Sequence, residues 1–254
     1  MDRNYIDRVI LKKDPPADSY LFRLPAVQAL IRDRELPFSG SVTFFVGENG
    51  TGKSTLLEAI AVAFGFNAEG GTKNFRFSTS ATHSELYRYL TLSKSSFAKD
   101  GFFLRAESFY NVASNIDEMD SSGSRGARVI DSYGGISLHQ QSHGESFLSV
   151  VQNRFGGNGL YILDEPESAL SPAKLMTLMV EINTLVKANS QFIIATHSPI
   201  LMTFPHAQIY QLSGDGITEV RYQETEHYQL TKYFLNHPDQ MLKYLLEDTD
   251  QLQE

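Results

Sequence analysis

The stretch Gly47-Glu48-Asn49-Gly50-Thr51-Gly52-Lys53-Ser54-Thr55 has the spacing G-x-x-x-x-G-K-[ST] at every fixed position. Glycines in this pattern let successive backbone N–H groups turn inward around anionic oxygens, and a helix starting behind them adds its positive end. Lys53 is the cation expected to reach a phosphate chain, and the Ser54 hydroxyl a ligand for Mg²⁺. Such a loop needs a second, acidic group from a neighbouring strand. Leu160-Tyr161-Ile162-Leu163-Asp164-Glu165 delivers two adjacent carboxylates after four apolar residues. Asp164 suits the metal. Glu165, next along the strand, faces the other side and is free to polarise a water. The implied ligand is a nucleoside triphosphate with Mg²⁺.

These groups need elements to hold them. Val42-Thr43-Phe44-Phe45-Val46 reads as a buried strand running into the loop, and Leu56–Phe64 as the helix leaving it, ended by Gly65. Other strands are expected at Tyr5–Leu11, Tyr20–Leu24, Phe102–Arg105, Leu160–Leu163 and Gln191–Ala195. Helices are expected at Ala26–Arg34, near Ser84–Leu92, at Glu145–Phe155 and at Ala173–Ala188. Asn115–Arg128, rich in Ser, Gly and charge, reads as a mobile loop. A hairpin is expected from Gln208–Leu212 and Ile217–Tyr222, followed by two short helices split by Pro238. Strands alternating with helices indicate an α/β fold with a mostly parallel sheet. The expected organisation is a main domain over residues 1–212, with the hairpin and helices of 213–254 packed on it.

Composition sets outer bounds. The chain has 254 residues, 41% of them hydrophobic and 20% charged, as in a soluble globular protein. A net charge of −8 gives no global sign of nucleic-acid binding. With no cysteine there is neither disulfide nor thiolate metal site. No signal peptide and no apolar run near the ~20 residues of a membrane span is apparent, so a cytoplasmic protein is the expectation.

Two further segments narrow the class. Gln141-Ser142-His143-Gly144-Glu145 opens an expected helix upstream of Asp164, and Ile193-Ile194-Ala195-Thr196-His197-Ser198-Pro199 is an apolar strand ending in histidine. With Ser168-Ala169-Leu170-Ser171 behind the acids, the order P-loop, signature, Walker B, D-loop, switch histidine resembles the ABC-class ATPases over Tyr5–Pro199. Within them the chain is most similar to compact stand-alone ATPases labelled "AAA family", related to SMC and OLD-type heads. The resemblance implies the P-loop NTPase fold of the ABC type, with an N-terminal antiparallel β region. It implies an ATP-induced head-to-tail homodimer in which Ser142, His143, Gly144 and Glu145 of one copy face the nucleotide of the other. Glu165 and His197 are then the catalytic pair, His197 contacting the γ-phosphate.

The remaining residues are less uniform. The Ser142–Glu145 spacing is also that of a capping box, which is compatible with phosphate contact. His143 stands where the family has glycine, and with His139 it mimics an i, i+4 metal pair that lacks a third ligand. No glutamine follows Phe102–Arg105; Glu107 is there instead and is a metal or water candidate or a structural residue. The class stacks an aromatic on adenine, for which Tyr20 and Phe22 are the candidates, though aromatics on an N-terminal strand more often fill the core. The expected function is ATP hydrolysis switching an unidentified partner protein. The alternative is the ATP-binding subunit of a membrane transporter, against which stands the absence of an obvious coupling subdomain in Gly71–Gln140. A DNA enzyme in its own right is disfavoured, since the 89 residues between Gly52 and Ser142 contain no heptads.

Overall fold

A computed structural model describes residues 4–73, 84–121 and 128–247. Its elements in chain order are β1 (Arg8–Leu11), α1 (Pro25–Asp33), β2 (Glu35–Pro37), β3 (Val42–Gly47), α2 (Lys53–Phe64), β4 (Leu90–Ser93) and β5 (Asp100–Arg105). Then follow α3 (Phe109–Ser121), α4 (His143–Arg154), β6 (Gly159–Asp164), α5 (Pro172–Lys187), β7 (Gln191–Ala195), β8 (Gln208–Ser213), β9 (Gly216–Glu219), α6 (Glu226–Asn236) and α7 (Pro238–Glu247).

A six-stranded sheet has the order β5-β6-β7-β3-β8-β9, parallel except for β9. A smaller antiparallel sheet, β2-β1-β4, lies in the N-terminal part. This is the expected mostly parallel core with an antiparallel region. The continuous apolar runs of the middle strands are explained by burial on both faces. Phe44, Val46, Tyr161, Leu163, Phe192 and Ile194 pack with α3, α4 and α5. Alternate residues, Phe45, Leu160, Ile162, Ile193 and Ala195, pack with α1, α2 and the small sheet. Phe44 and Phe45 have no exposed surface, and each such burial stabilises the fold by about 1.5–3 kcal/mol. Gln191 ties the first segment to the central sheet: its amide oxygen accepts from the N–H groups of Tyr5 (2.8 Å) and Ile6 (2.9 Å).

Three expected elements differ. Residues Tyr20–Arg23 form a 3₁₀ turn rather than a strand, because the Ser19 hydroxyl accepts the Leu21 N–H and Pro25 starts α1 directly behind. Within Ser84–Leu92 there is a 3₁₀ turn, Glu85–Tyr89, and then β4, whose alternate Leu90 and Leu92 are buried beside β1. The first half of the expected loop Asn115–Arg128 belongs to α3, where Phe109, Val112, Ala113 and Ile116 form a buried stripe at helical spacing. Residues 122–127 lie outside the described residues. The other strands and helices fall where expected to within a few residues.

Candidate active site

Parallel strands place their carboxyl ends together, and β3, β6 and β7 are adjacent, so the turns leaving them share one cleft. The turn after β3 is the glycine loop. Gly47 has φ 137°, and a Cβ there would meet the Leu212 carbonyl oxygen at 2.0 Å, so only glycine lets this strand end lie against β8. Gly52 precedes α2 at φ 97°, and the loop is closed by the Thr51 hydroxyl donating to Glu48 O (2.8 Å). Lys53 Nζ donates to Gly47 O (2.7 Å) and Glu48 O (2.8 Å), which curls the ammonium into the loop. Its pKa is pulled down by burial, against which Glu165, Asp164, Glu167 and Glu48 act. Asn49 and Gly50 are exposed at the loop tip, and Ser54 and Thr55 begin α2.

Asp164 ends β6 on the same face as Leu160 and Ile162, the face that packs on α2, and so meets Ser54: the hydroxyl donates to Oδ1 at 3.0 Å. Burial lifts the Asp164 carboxyl to about 6, against Arg105 and the Ser54 hydrogen bond, which lower it. Ser54 Oγ and Asp164 Oδ1 are hard oxygen donors from two elements and fit Mg²⁺, whose other ligands come from phosphate and water. Among the described residues no group of three or more His, Asp or Glu could hold a metal alone. At Glu165 the chain leaves the strand with φ 50°, held by its N–H to Ala195 O (3.0 Å). This turn carries the carboxylate to 3.5 Å from His197 Nε2, a buried nitrogen with no hydrogen-bond partner among the described residues.

Ser54, Glu107, Asp164, Glu165, Ser168 and His143 line one cavity of about 300 Å³. Glu107 is largely exposed there and is reached by Arg105 Nη2 at 3.4 Å. The signature segment is built from α4. Glu145 accepts from the N–H and the hydroxyl of Ser142, so the capping box is present. Ser142, His143 and Glu145 are exposed, while Gly144 is buried where a Cβ would come within 2.8 Å of the Ala169 carbonyl oxygen. His139 and His143 do not act as a pair: His139 contacts Tyr110 and Ser114, whereas His143 meets Phe109 edge-on. Tyr20 is 58% exposed and Phe22 half-buried, so neither is core-bound. Their turn leads into α1, whose Ala26 N–H donates to Thr51 O (3.1 Å), which anchors both near the glycine loop.

Three residues of this neighbourhood escape the sequence reading. Arg105, the last residue of β5, is in register with Asp164 and puts Nε 3.3 Å from Oδ2, off the line of a hydrogen bond. Its Nη1 is 2.7 Å from Glu58 of α2. Glu167 accepts from the Thr196 hydroxyl (2.9 Å) and the His197 N–H, fixing the turn after β7. Its own carboxyl is raised by burial. His227, from α6, sits 2.8 Å from His197 Nδ1. A cation closing an apolar strand was the available signal for Arg105, and Asp-Glu-Pro-Glu for Glu167; nothing local points to His227.

The comparisons agree with this architecture. A family model described as "AAA domain" matches residues 26–125, and another, described as "AAA domain, putative AbiEii toxin, Type IV TA system", matches 136–203. No curated protein matches the chain. Among solved structures, a chain of "a putative metal-chelate type ABC transporter" aligns at 11% identity, covering 90% of this chain and 88% of that one, with a TM-score of 0.51. MJ1267, an ATP-binding cassette of an ABC transporter, aligns at 18% identity over 95% and 99% of the two chains, with a TM-score of 0.50. An SMC head domain from Thermotoga maritima aligns at 16% identity over 86% and 99%, with a TM-score of 0.44, and the fold assignment rests on the other two. With the complete glycine-loop motif and its acidic partner strand, the two AAA-domain matches and the ABC-cassette fold make the chain a compact P-loop ATPase.

Proposed function

We propose that this ATPase hydrolyses Mg-ATP to ADP and phosphate with Glu165 as the catalytic carboxylate, in a site completed by the signature segment of a second copy. The observation that carries the reading is the convergence of Lys53, Ser54, Asp164, Glu165 and His197 on the adjacent ends of β3, β6 and β7. Backbone N–H groups of Gly47, Asn49, Gly50, Thr51 and Gly52, with Thr55, surround the phosphates, and Lys53 balances their charge. Ser54 and Asp164 hold Mg²⁺, which neutralises the developing phosphate charge when bound; Glu107, on the cavity wall, serves the water or metal shell. Glu165 takes the proton of the attacking water as its oxygen bonds to the γ-phosphorus and the bond to the ADP oxygen breaks. His197 donates from Nε2 to a γ-phosphate oxygen; the orphaned nitrogen supports this role. Tyr20 or Phe22 stacks on the base.

The exposed start of α4, with its helix N-terminus and the Ser142 hydroxyl, suits an anion brought by another molecule. A head-to-tail homodimer with two-fold symmetry supplies it, and closing and opening of that dimer switches a partner protein in the cytoplasm, where ATP is available. Among the described residues no helix is long and apolar enough to cross a membrane. Phosphate release is expected with Mg²⁺ and not in EDTA. Light scattering of Glu165→Gln should show mass doubling on Mg-ATP; a strictly monomeric protein saturated with ATP overturns the homodimer.

A further inference from the structure

The two ring nitrogens of His197 have different surroundings. Nδ1 is 2.8 Å from His227 Nε2, while Nε2 is buried, unbonded among the described residues, and 3.5 Å from Glu165 Oε1. The rings are tilted by 59°, so the contact is nitrogen to nitrogen rather than a stack. At that separation one proton must lie between the two nitrogens, since two lone pairs or two N–H groups repel. Burial, then Lys53 of α2, lowers both imidazole pKa values; His227 also lowers that of His197. Glu165 after β6 opposes this at His197, and Glu226 of α6 and Glu48 of the glycine loop oppose it at His227. The two rings are therefore neutral near pH 7, with one N–H each.

Two arrangements share that proton. If His197 donated from Nδ1, the bare lone pair of Nε2 would face the Glu165 carboxylate and, on ATP binding, an anionic phosphate. If His227 donates from Nε2, His197 keeps its proton on Nε2 and turns an N–H toward both. Only the second is free of repulsion. We propose that His227 is a positioning residue that fixes His197 in the Nε2–H tautomer, so that α6 forms part of the ATP site. The inference rests on the reading of His197 as the γ-phosphate contact. Local hydrogen bonds hold the start of α6. Thr225, fully buried, pins its first turn by donating to Tyr222 O (2.7 Å) and accepting from the Tyr228 N–H (3.4 Å).

The tautomer can be read directly from long-range ¹H–¹⁵N spectra of the wild-type protein labelled on histidine. The expected pattern for His197 is a protonated Nε2 and an acceptor-type Nδ1; the reverse pattern overturns the proposal. Kinetics give a second arm. His227→Leu should lower kcat about tenfold, the usual scale for a group that orients an active residue. KM for ATP should stay within about twofold, and His227→Gln, whose amide can still donate, should recover most of the rate. The double variant His197→Ala/His227→Leu should be no slower than His197→Ala, because the two act as one unit. Wild-type kcat in His227→Leu beside a slow His197→Ala overturns the positioning role. Wild-type turnover in His197→Ala instead removes the γ-phosphate reading, and the spectrum still decides the His227 contact independently.

Discussion

The floor of the cleft and the start of α4 both present groups suited to phosphate, yet they are built in opposite ways. Lys53 and Asp164 are 4% and 5% exposed, set by strands buried on both faces and held by partners from other elements: Gly47, Glu48, Ser54 and Arg105. Ser142, His143 and Glu145 are exposed, and the side-chain hydrogen bonds of Ser142 and Glu145 are with each other. On the proposed reading, residues that act on the chain's own nucleotide are fixed by the core, at the expense of burying charge, and residues that await another molecule need only a well-formed helix end. The difference predicts that lesions in the floor act within one chain, and lesions at α4 act between chains.

The largest effect is expected from Asp164→Asn, which removes the buried carboxylate from the Ser54 pair. Turnover should fall about a thousandfold or more, as charge stabilisation of the reacting phosphate is lost. Stability should move the other way. The folded carboxyl titrates near 6, above its ordinary 3.8, so ionised Asp164 weighs against the fold above pH 6. The cost is at most ~3 kcal/mol. This penalty fades as pH falls from about 6 toward 3.8, so unfolding of the two proteins should differ at pH 8 and converge toward about pH 4. A gap that widens toward acid would break the picture of a strained, core-held floor.

Lys53→Ala should weaken ATP binding about a hundredfold, the loss of roughly 3 kcal/mol of charge-assisted contact, in a calorimetric titration. Unchanged affinity would contradict the placement of the phosphates in the glycine loop. Ser142→Arg sharpens the comparison further. ATP affinity should stay within about threefold while turnover falls about tenfold, because the added side chain crowds the docking face rather than the floor. Mixing Ser142→Arg with Lys53→Ala should restore part of the rate, since one site of the mixed pair has an intact loop and an intact signature. Full activity of Ser142→Arg alone would reduce Gln141–Glu145 to a helix cap, and His143, which lines its own chain's cavity, would act there in cis.

The same division governs what was legible in the sequence. Gly47 to Thr55, Asp164 and the parallel sheet could be read because fixed spacing and strand parity are local properties. Asp164 falls on the face of Leu160 and Ile162, and counting by twos suffices to turn it toward α2. Ser142 and Glu145 were legible as a cap for the same reason. Arg105, Glu167 and His227 were not, since each acts through neighbours that only the tertiary fold supplies: strand order for Arg105, the close of β6 against β7 for Glu167, and the return of α6 for His227. Residues 115–121, the second half of α3, have the composition of a loop, whereas the stripe Phe109, Val112, Ala113, Ile116 has helical spacing that carries the helix into them. Tyr20–Arg23 misled in the other direction, its aromatic residues reading as strand where Ser19 and Pro25 impose a turn.

The proposed role of Glu165 is to perform the chemistry without being needed to hold ATP. It is tested most directly by measuring bound nucleotide and phosphate release in one sample of Glu165→Gln with Mg-ATP. An amide keeps the shape of the side chain and cannot take the proton of water. Stoichiometric ATP should be retained on the protein, with phosphate release slowed by at least about a hundredfold, the scale of a lost general base. Release at the wild-type rate with ATP bound would contradict it.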